Sequence, residues 1–367
     1  MIAVTEIQPF RIAVPQARLH DLKARLTATR WAPQLPGEGW RRGVPVAYLR
    51  ELAEYWATGY DWRAQEARLN TFPQYTTVID GLTLHFLHVR SANPQARPLL
   101  LTHGWPSTFA EFTEVIEPLN SSFHLVIPSI PGFGFSGAPV ATGFGVAEVG
   151  RIWAALMDRL GYHRYGVQGG DLGAYIAPET AKAAPGRVTG VYVNSGLGMP
   201  TEADLPELSS EEAAFYHQMQ GWADSGVDHH RLLRAAPQTF NHAWHDSPAG
   251  QLAWLIHKFG DFTFTETPDL AISRDWLLTN ASLYWFTGTS GTSSWFMYDT
   301  KAFAWPPGQR VAPTGVYSGP PGIRRLAERD NDIVHWPEGR TGGHFVALES
   351  PGELAADLER FFASTGR

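Results

Sequence analysis

The stretch Val167-Gln168-Gly169-Gly170-Asp171-Leu172-Gly173-Ala174 restricts the fold more than any other part of this chain. It reads as an apolar strand, a turn crowded with small residues, and the start of a helix. An acid sits where the turn is tightest. Small residues on both sides let the backbone bend sharply and tolerate strain. Strands that alternate with helices in this way build a parallel sheet with helices on its faces. A carboxylate in front of a helix N-terminus is favoured as the anion and can serve as a nucleophile that forms an ester.

Composition removes several function classes. The chain has 367 residues, 44% hydrophobic and 18% charged, enough apolar material for a sizeable core. Its net charge of -7 comes without a basic stripe, so no nucleic-acid partner is expected. There is no cysteine, which excludes disulfides, thiolate metal sites and cysteine nucleophiles. The first residues lack the basic and apolar regions of a secretory signal, and no run of about 18 apolar residues predicts a membrane span. The default expectation is a soluble cytoplasmic protein, with a homodimer left open. The 14 tryptophans suggest an apolar cavity for a carbon-rich ligand beyond what the core requires.

Residues 1–74 read as mainly helical, with Leu19, Leu22 and Leu26, then Leu49, Leu52, Ala53 and Trp56, at helical spacing. Between them, the Pro/Gly/Trp-rich stretch Trp31 to Val44 reads as a loop wrapping another surface. Residues 75–197 alternate. A hairpin turns at Gly81, apolar strands fall at Pro98–Thr102, Phe123–Pro128, Tyr165–Gln168 and Val188–Val193, and helices at Val146–Leu160 and Leu172–Ala184. Residues 198–305 are helical and aromatic, an inserted cap. In 306–367 strands resume at Val311–Tyr317 and Ile333–Trp336, before a helix at Gly352–Ala363.

Three features follow predicted strands, where open α/β sheets place their sites. They are His103-Gly104-Trp105-Pro106, the Asp171 turn, and Gly342-Gly343-His344-Phe345. Singly, each has a plain explanation: a loop, a helix cap, a late surface histidine. Together they fall in the order oxyanion loop, nucleophile, histidine. The chain has no Gly-x-Ser-x-Gly, and Ser136 and Ser195 do not sit in such a turn.

At these residues the chain resembles the α/β-hydrolase epoxide hydrolases of the microsomal type, including their N-terminal domain. The resemblance covers nearly the whole chain. It rests on Trp56-x-x-x-Tyr60-Asp61-Trp62-Arg63, Leu69-Asn70, Phe72-Pro73 and Ile79-Asp80-Gly81-Leu82-x-x-His85-Phe86. The core adds His103–Pro106, Pro131-Gly132-Phe133-Gly134-Phe135-Ser136, Gln168–Asp171 and Gly342–Phe345, and the cap adds Tyr284-Trp285-x-Thr287-Gly288-Thr289, Ser293-Ser294 and Tyr298. It implies an α/β-hydrolase fold, an epoxide substrate and water, a vicinal diol product, and no cofactor or metal. Asp171 would attack an epoxide carbon, Tyr298 would protonate the departing oxygen, and His344 would activate water to cleave the ester. The backbone N–H groups of Trp105 and Leu172 would hold the oxyanion. Trp105, Tyr284, Trp285 and Phe345 are expected to line the substrate pocket, and the substrate to be bulky and carbon-rich.

The chain departs from the family at three positions. Counting back from Pro237-Gln238-Thr239 and Asp246-Ser247-Pro248 places the second cap tyrosine at Asp228–His230, and His229 stands there as a candidate proton donor beside the plainer reading of a solvated loop histidine. The segment Thr314–Gly322 lacks the acid that orients the catalytic histidine. Glu328, Asp330 and Asp332 come later as weak substitutes, and Asn194 occupies the alternative strand end. Leu172 replaces a common Trp, which counts against dehalogenation. A dehalogenase or ester hydrolase on the same scaffold, or a catalytically impaired ligand-binding relative, stays open as an alternative. Asp228-His229-His230 with His242 and His245 matches no strong metal-ligand spacing.

Overall fold

The computed structural model describes residues 6–194, 197–224, 229–263, 265–298, 310–317, 322–337 and 342–365. Among these residues, nine strands form one sheet in the order β1-β2-β3-β5-β4-β6-β7-β8-β9. They are β1 (Gln8–Phe10), β2 (Gln74–Ile79), β3 (Leu82–Val89), β4 (Arg97–Thr102), β5 (Phe123–Pro128), β6 (Tyr165–Gly170), β7 (Val188–Asn194), β8 (Pro313–Val316) and β9 (Asp332–His335). Strands β1 to β3 are antiparallel, β3 joins β5 antiparallel, and the remaining pairs are parallel. The β2–β3 hairpin closes through Asp80 and Gly81, both at positive φ, which suits the twist of a two-residue turn.

Residues pointing to both faces of the central strands are dry. Leu99, Leu100, Leu101, Leu125, Val126 and Ile127 are all fully buried, as continuous apolar runs in a parallel sheet should be. Helices α4 (Thr113–Leu119), α5 (Val146–Arg159), α6 (Leu172–Ala183) and α15 (Pro351–Thr365) cover the sheet, α5 packing on α6 and α4 on α15.

The N-terminal helices α1 (Gln16–Thr27), α2 (Val46–Thr58) and α3 (Trp62–Leu69) grip the cap. The last was not expected from periodicity. Trp56 Nε1 donates to Ser282 Oγ at 2.9 Å, Tyr55 to Asp275 at 2.7 Å, and Tyr48 to Asp269 at 2.9 Å. The cap comprises α7 (Ser210–Asp224), α8 (His229–Ala235), α9 (Pro237–Asp246), α10 (Pro248–Thr263), α11 (Arg274–Thr287) and α12 (Trp295–Tyr298). Two short helices, α13 (Arg324–Ala327) and α14 (Val346–Glu349), complete the core. Among the described residues no helix is long and apolar enough to cross a membrane.

Candidate active site

Asp171 joins β6 to α6 at φ +53° and ψ -121°, a conformation L-residues rarely adopt. Packing holds it there. A Cβ on Gly169 would lie 2.0 Å from the carbonyl oxygen of Gly173, and one on Gly104 would lie 2.3 Å from Asp171 Cβ. The loop after β4 and the turn after β6 can therefore meet only with glycine at these positions. That meeting brings two backbone donors onto one carboxylate oxygen. Trp105 N–H donates to Asp171 Oδ1 at 3.0 Å and Leu172 N–H at 2.6 Å. The other oxygen, Oδ2, lies 3.4 Å from His344 Nε2. Both side chains stay reachable, Asp171 at 24% exposure and His344 at 13%.

Burial opposes the Asp171 charge, but the His344 ring and the two N–H groups outweigh it and hold the carboxyl at about 2. Burial likewise opposes a charged His344, yet Asp171 raises its pKa above the ordinary value. The pairing thus favours the carboxylate on Asp171 and shifts His344 toward the imidazolium. His103, in the neighbouring loop, is a different case. Its Nε2 accepts from Ile130 N–H at 3.2 Å and its Nδ1 donates to Gly104 O at 3.0 Å. Burial pushes its pKa down to about 4, so it is a neutral part of the scaffold.

His344 is held by residues that local patterning did not reveal. Its ring stacks on Phe262 of α10, centroids 4.5 Å apart, and meets Phe345 edge-on at 4.8 Å. Glu349 accepts from Gly343 N–H at 2.8 Å and Phe345 N–H at 2.9 Å, clamping the loop on both sides of the histidine. Among the described residues no carboxylate other than Asp171 pairs with the ring. Glu328 pairs instead with Arg324, and Asp332 is exposed at the far end of β9. Asn194 accepts from Gln168 Nε2 at 2.5 Å. Positions 318–321 of the shortened segment, and Ser195, lie outside the described residues.

The cap residues divide. His229 is buried and stacks on the Trp105 ring, centroids 5.0 Å apart and planes at 23°, with Phe262 against its edge. It is not a solvated loop residue, because it opens α8 over the loop whose Trp105 N–H meets Asp171. Trp254 packs on Trp105 as well, at 5.8 Å. Phe345 is buried beside His344 and against Phe259.

Two other expectations need correction. Tyr284 is fully buried, and its hydroxyl donates to Ser107 O at 3.0 Å. It ties the loop to α11 from behind rather than facing substrate. Trp285, one residue on, points elsewhere on the same helix. It lines a cavity of about 210 Å³ between α1 and the cap, with Arg18, Arg25 and Trp244. Tyr298 ends α12, which packs against α8, and is 61% exposed. The serine at 136 is structural: its Oγ donates to Ser129 O and accepts from His85 N–H. Asp228 of the histidine cluster lies outside the described residues, and among those described no group of three His, Asp or Glu could hold a metal.

This geometry has close counterparts. The model of the epoxide hydrolase N terminus matches residues 7–112, and that of the alpha/beta hydrolase fold matches 97–246. A relative from Stigmatella aurantiaca (strain DW4/3-1) is 41% identical over 372 residues, spanning 97% of this chain and 84% of its own. Epoxide hydrolase 1 of Sus scrofa is 32% identical over 405 residues, spanning 97% and 88%. The crystal structure of juvenile hormone epoxide hydrolase from the silkworm Bombyx mori superposes with a TM-score of 0.89 at 29% identity, covering 99% of this chain and 96% of that one. The structure of Aspergillus niger epoxide hydrolase gives 0.86 at 30% identity, covering 99% and 97%. By these matches over nearly its whole length, the chain belongs to the epoxide hydrolase family, on an α/β-hydrolase fold.

Proposed function

We propose that this hydrolase opens epoxides through a covalent ester on Asp171. The observation that carries the reading is the division of labour between the two carboxylate oxygens. Oδ1 is fixed by Trp105 and Leu172 N–H, while Oδ2 faces the reachable side beside His344. Oδ2 attacks an epoxide carbon, forming a C–O bond as the ring C–O bond breaks. The alkoxide takes a proton from a cap donor. His229, stacked over Trp105, is the donor we favour. Tyr298, at the end of α12 beside α8, is the second candidate.

The first step changes the second. Esterification neutralises Asp171 and removes the carboxylate that raised His344. Burial then favours the neutral ring, which takes a proton from water as the hydroxide adds to the ester carbonyl. The oxyanion forms on the oxygen already held by the two N–H groups, so little reorganisation is needed. Collapse releases a vicinal diol and restores Asp171. The aromatic surround of Trp105, Trp254, Phe262 and Phe345 suits a bulky, carbon-rich epoxide. Relatives named for juvenile hormone epoxide lend the same support.

Single turnover in ¹⁸O-water, with mass analysis of the peptide holding Asp171, tests the reading. The expected result is label in the Asp171 carboxylate and an unlabelled oxygen in the first diol. Diol formation with no label at Asp171 would overturn it.

A further inference from the structure

His344 faces a difficulty once Asp171 is esterified. Taking a proton from water makes it an imidazolium in a half-buried place, and no other carboxylate among the described residues pairs with the ring to stabilise it. Glu111 lies close behind. It sits in the short turn Phe109–Phe112, eight residues after His103, and is only 4% exposed. Its Oε2 accepts from Ser107 Oγ, and the same hydroxyl reaches Gly104 O at 3.1 Å. Gly104 in turn touches Asp171. The turn also packs against α14, the helix that follows the His344 loop. A buried acid rarely persists without a charged partner. This one feels the charges of both His344 and Asp171.

We propose that Glu111 is a positioning residue for ester hydrolysis: its carboxylate, behind the Gly104–Trp105 loop, supplies the negative charge that stabilises the His344 imidazolium after Asp171 has been esterified. The inference rests on the covalent reading above. Glu111 moves no proton itself. The proton passes from water to His344, and then to the leaving Asp171–alkyl oxygen as the diol departs.

The charge is timed by the reaction. Burial pushes Glu111 up to about 7, against the Ser107 hydrogen bond and the attraction of His344, and Asp171 adds to the rise. Esterification removes the Asp171 charge, and the imidazolium that forms on His344 during ester hydrolysis draws Glu111 toward the carboxylate. Other charged groups near this turn are already engaged or face water. Glu349 on α14 takes two loop amides, and Glu114 on α4 pairs with Arg68. Glu117 on α4 is exposed, and His124 on β5 accepts from Ser91 N–H.

The test is rapid-quench kinetics of the full chain with styrene oxide as probe, following the alkylated protein by intact mass. In Glu111→Gln the attack rate should stay within about twofold of wild type, while ester hydrolysis slows about tenfold, equivalent to one pKa unit of lost stabilisation. The ester then accumulates, KM falls with kcat, and the acid limb of kcat moves to lower pH. Ser107→Ala, which removes a donor to the carboxylate, should slow hydrolysis at pH 7 and recover at higher pH. Unchanged hydrolysis and pH profile in Glu111→Gln would overturn the inference alone. So would an attack rate that falls as far as hydrolysis does, because Glu111 would then serve the fold or the first step. Wild type that yields diol without ever forming an ester would overturn the proposed function itself.

Discussion

At Asp171 a strained backbone, two N–H donors and one imidazole fix a single side chain, so small changes there should have large effects. Gly104→Ala places a methyl carbon 2.6 Å from Asp171 Oδ1. One of the two must shift, and kcat/KM should fall about 100-fold, the cost of displacing reacting atoms by roughly an ångström. Unchanged kinetics in a variant shown by circular dichroism to be folded would contradict the close approach. His344→Gln removes the base but leaves the nucleophile. Its kcat should drop about 10²- to 10⁴-fold, with the alkylated protein visible by intact mass. Rapid full turnover in that variant would refute the role of His344. Both residues were legible from their place after strands and from chain order. Glu111 and Phe262 were not, because an acid in a loop and a phenylalanine in a helix carry no local sign of which histidine they will approach.

At the scale of elements, helix ends and side-chain ties decide what each segment presents. Helix α15 is anchored to the sheet through Asp357, which accepts from Tyr192 of β7 at 2.5 Å and meets His335 of β9 at 2.9 Å. Burial opposes its charge, but His335, Tyr192 and Arg360 outweigh that and hold it at about 2, below the usual 3.8. The depressed value means that its stabilisation is present above pH 4 and is lost as pH falls toward 2. Asp357→Asn should therefore cost on the order of 2 kcal/mol at neutral pH and show a flatter acid-side stability curve, read by urea denaturation between about pH 2 and 7. Equal slopes in the two proteins would contradict the assignment. Helix α11 shows the limit of sequence reading. Tyr284 and Trp285 are neighbours in an aromatic motif, yet one faces the loop after β4 and the other faces α1. Which turn of a helix meets which partner depends on its rotation in the assembled cap.

The whole molecule is held together by contacts between segments far apart in sequence. The N-terminal helices bind the cap more than two hundred residues away, through Trp56 to Ser282, Tyr55 to Asp275 and Arg274 to Glu51. Trp56 is 4% exposed, and Trp56→Ala should cost about 3–5 kcal/mol through the lost burial and cavity. Thermal unfolding measures it, and a change below 1 kcal/mol would mean that this grip contributes little. The sequence by itself determined the parallel sheet, the hairpin, the acid turn and the late histidine. Each depends on local periodicity, glycine placement and order along the chain. Only the tertiary structure decided that His229 lies over Trp105, that Trp285 faces α1 and that Glu111 lies behind the Gly104–Trp105 loop. Those positions follow from how separate elements pack, and packing is set by shape and burial across the fold rather than by neighbours in sequence.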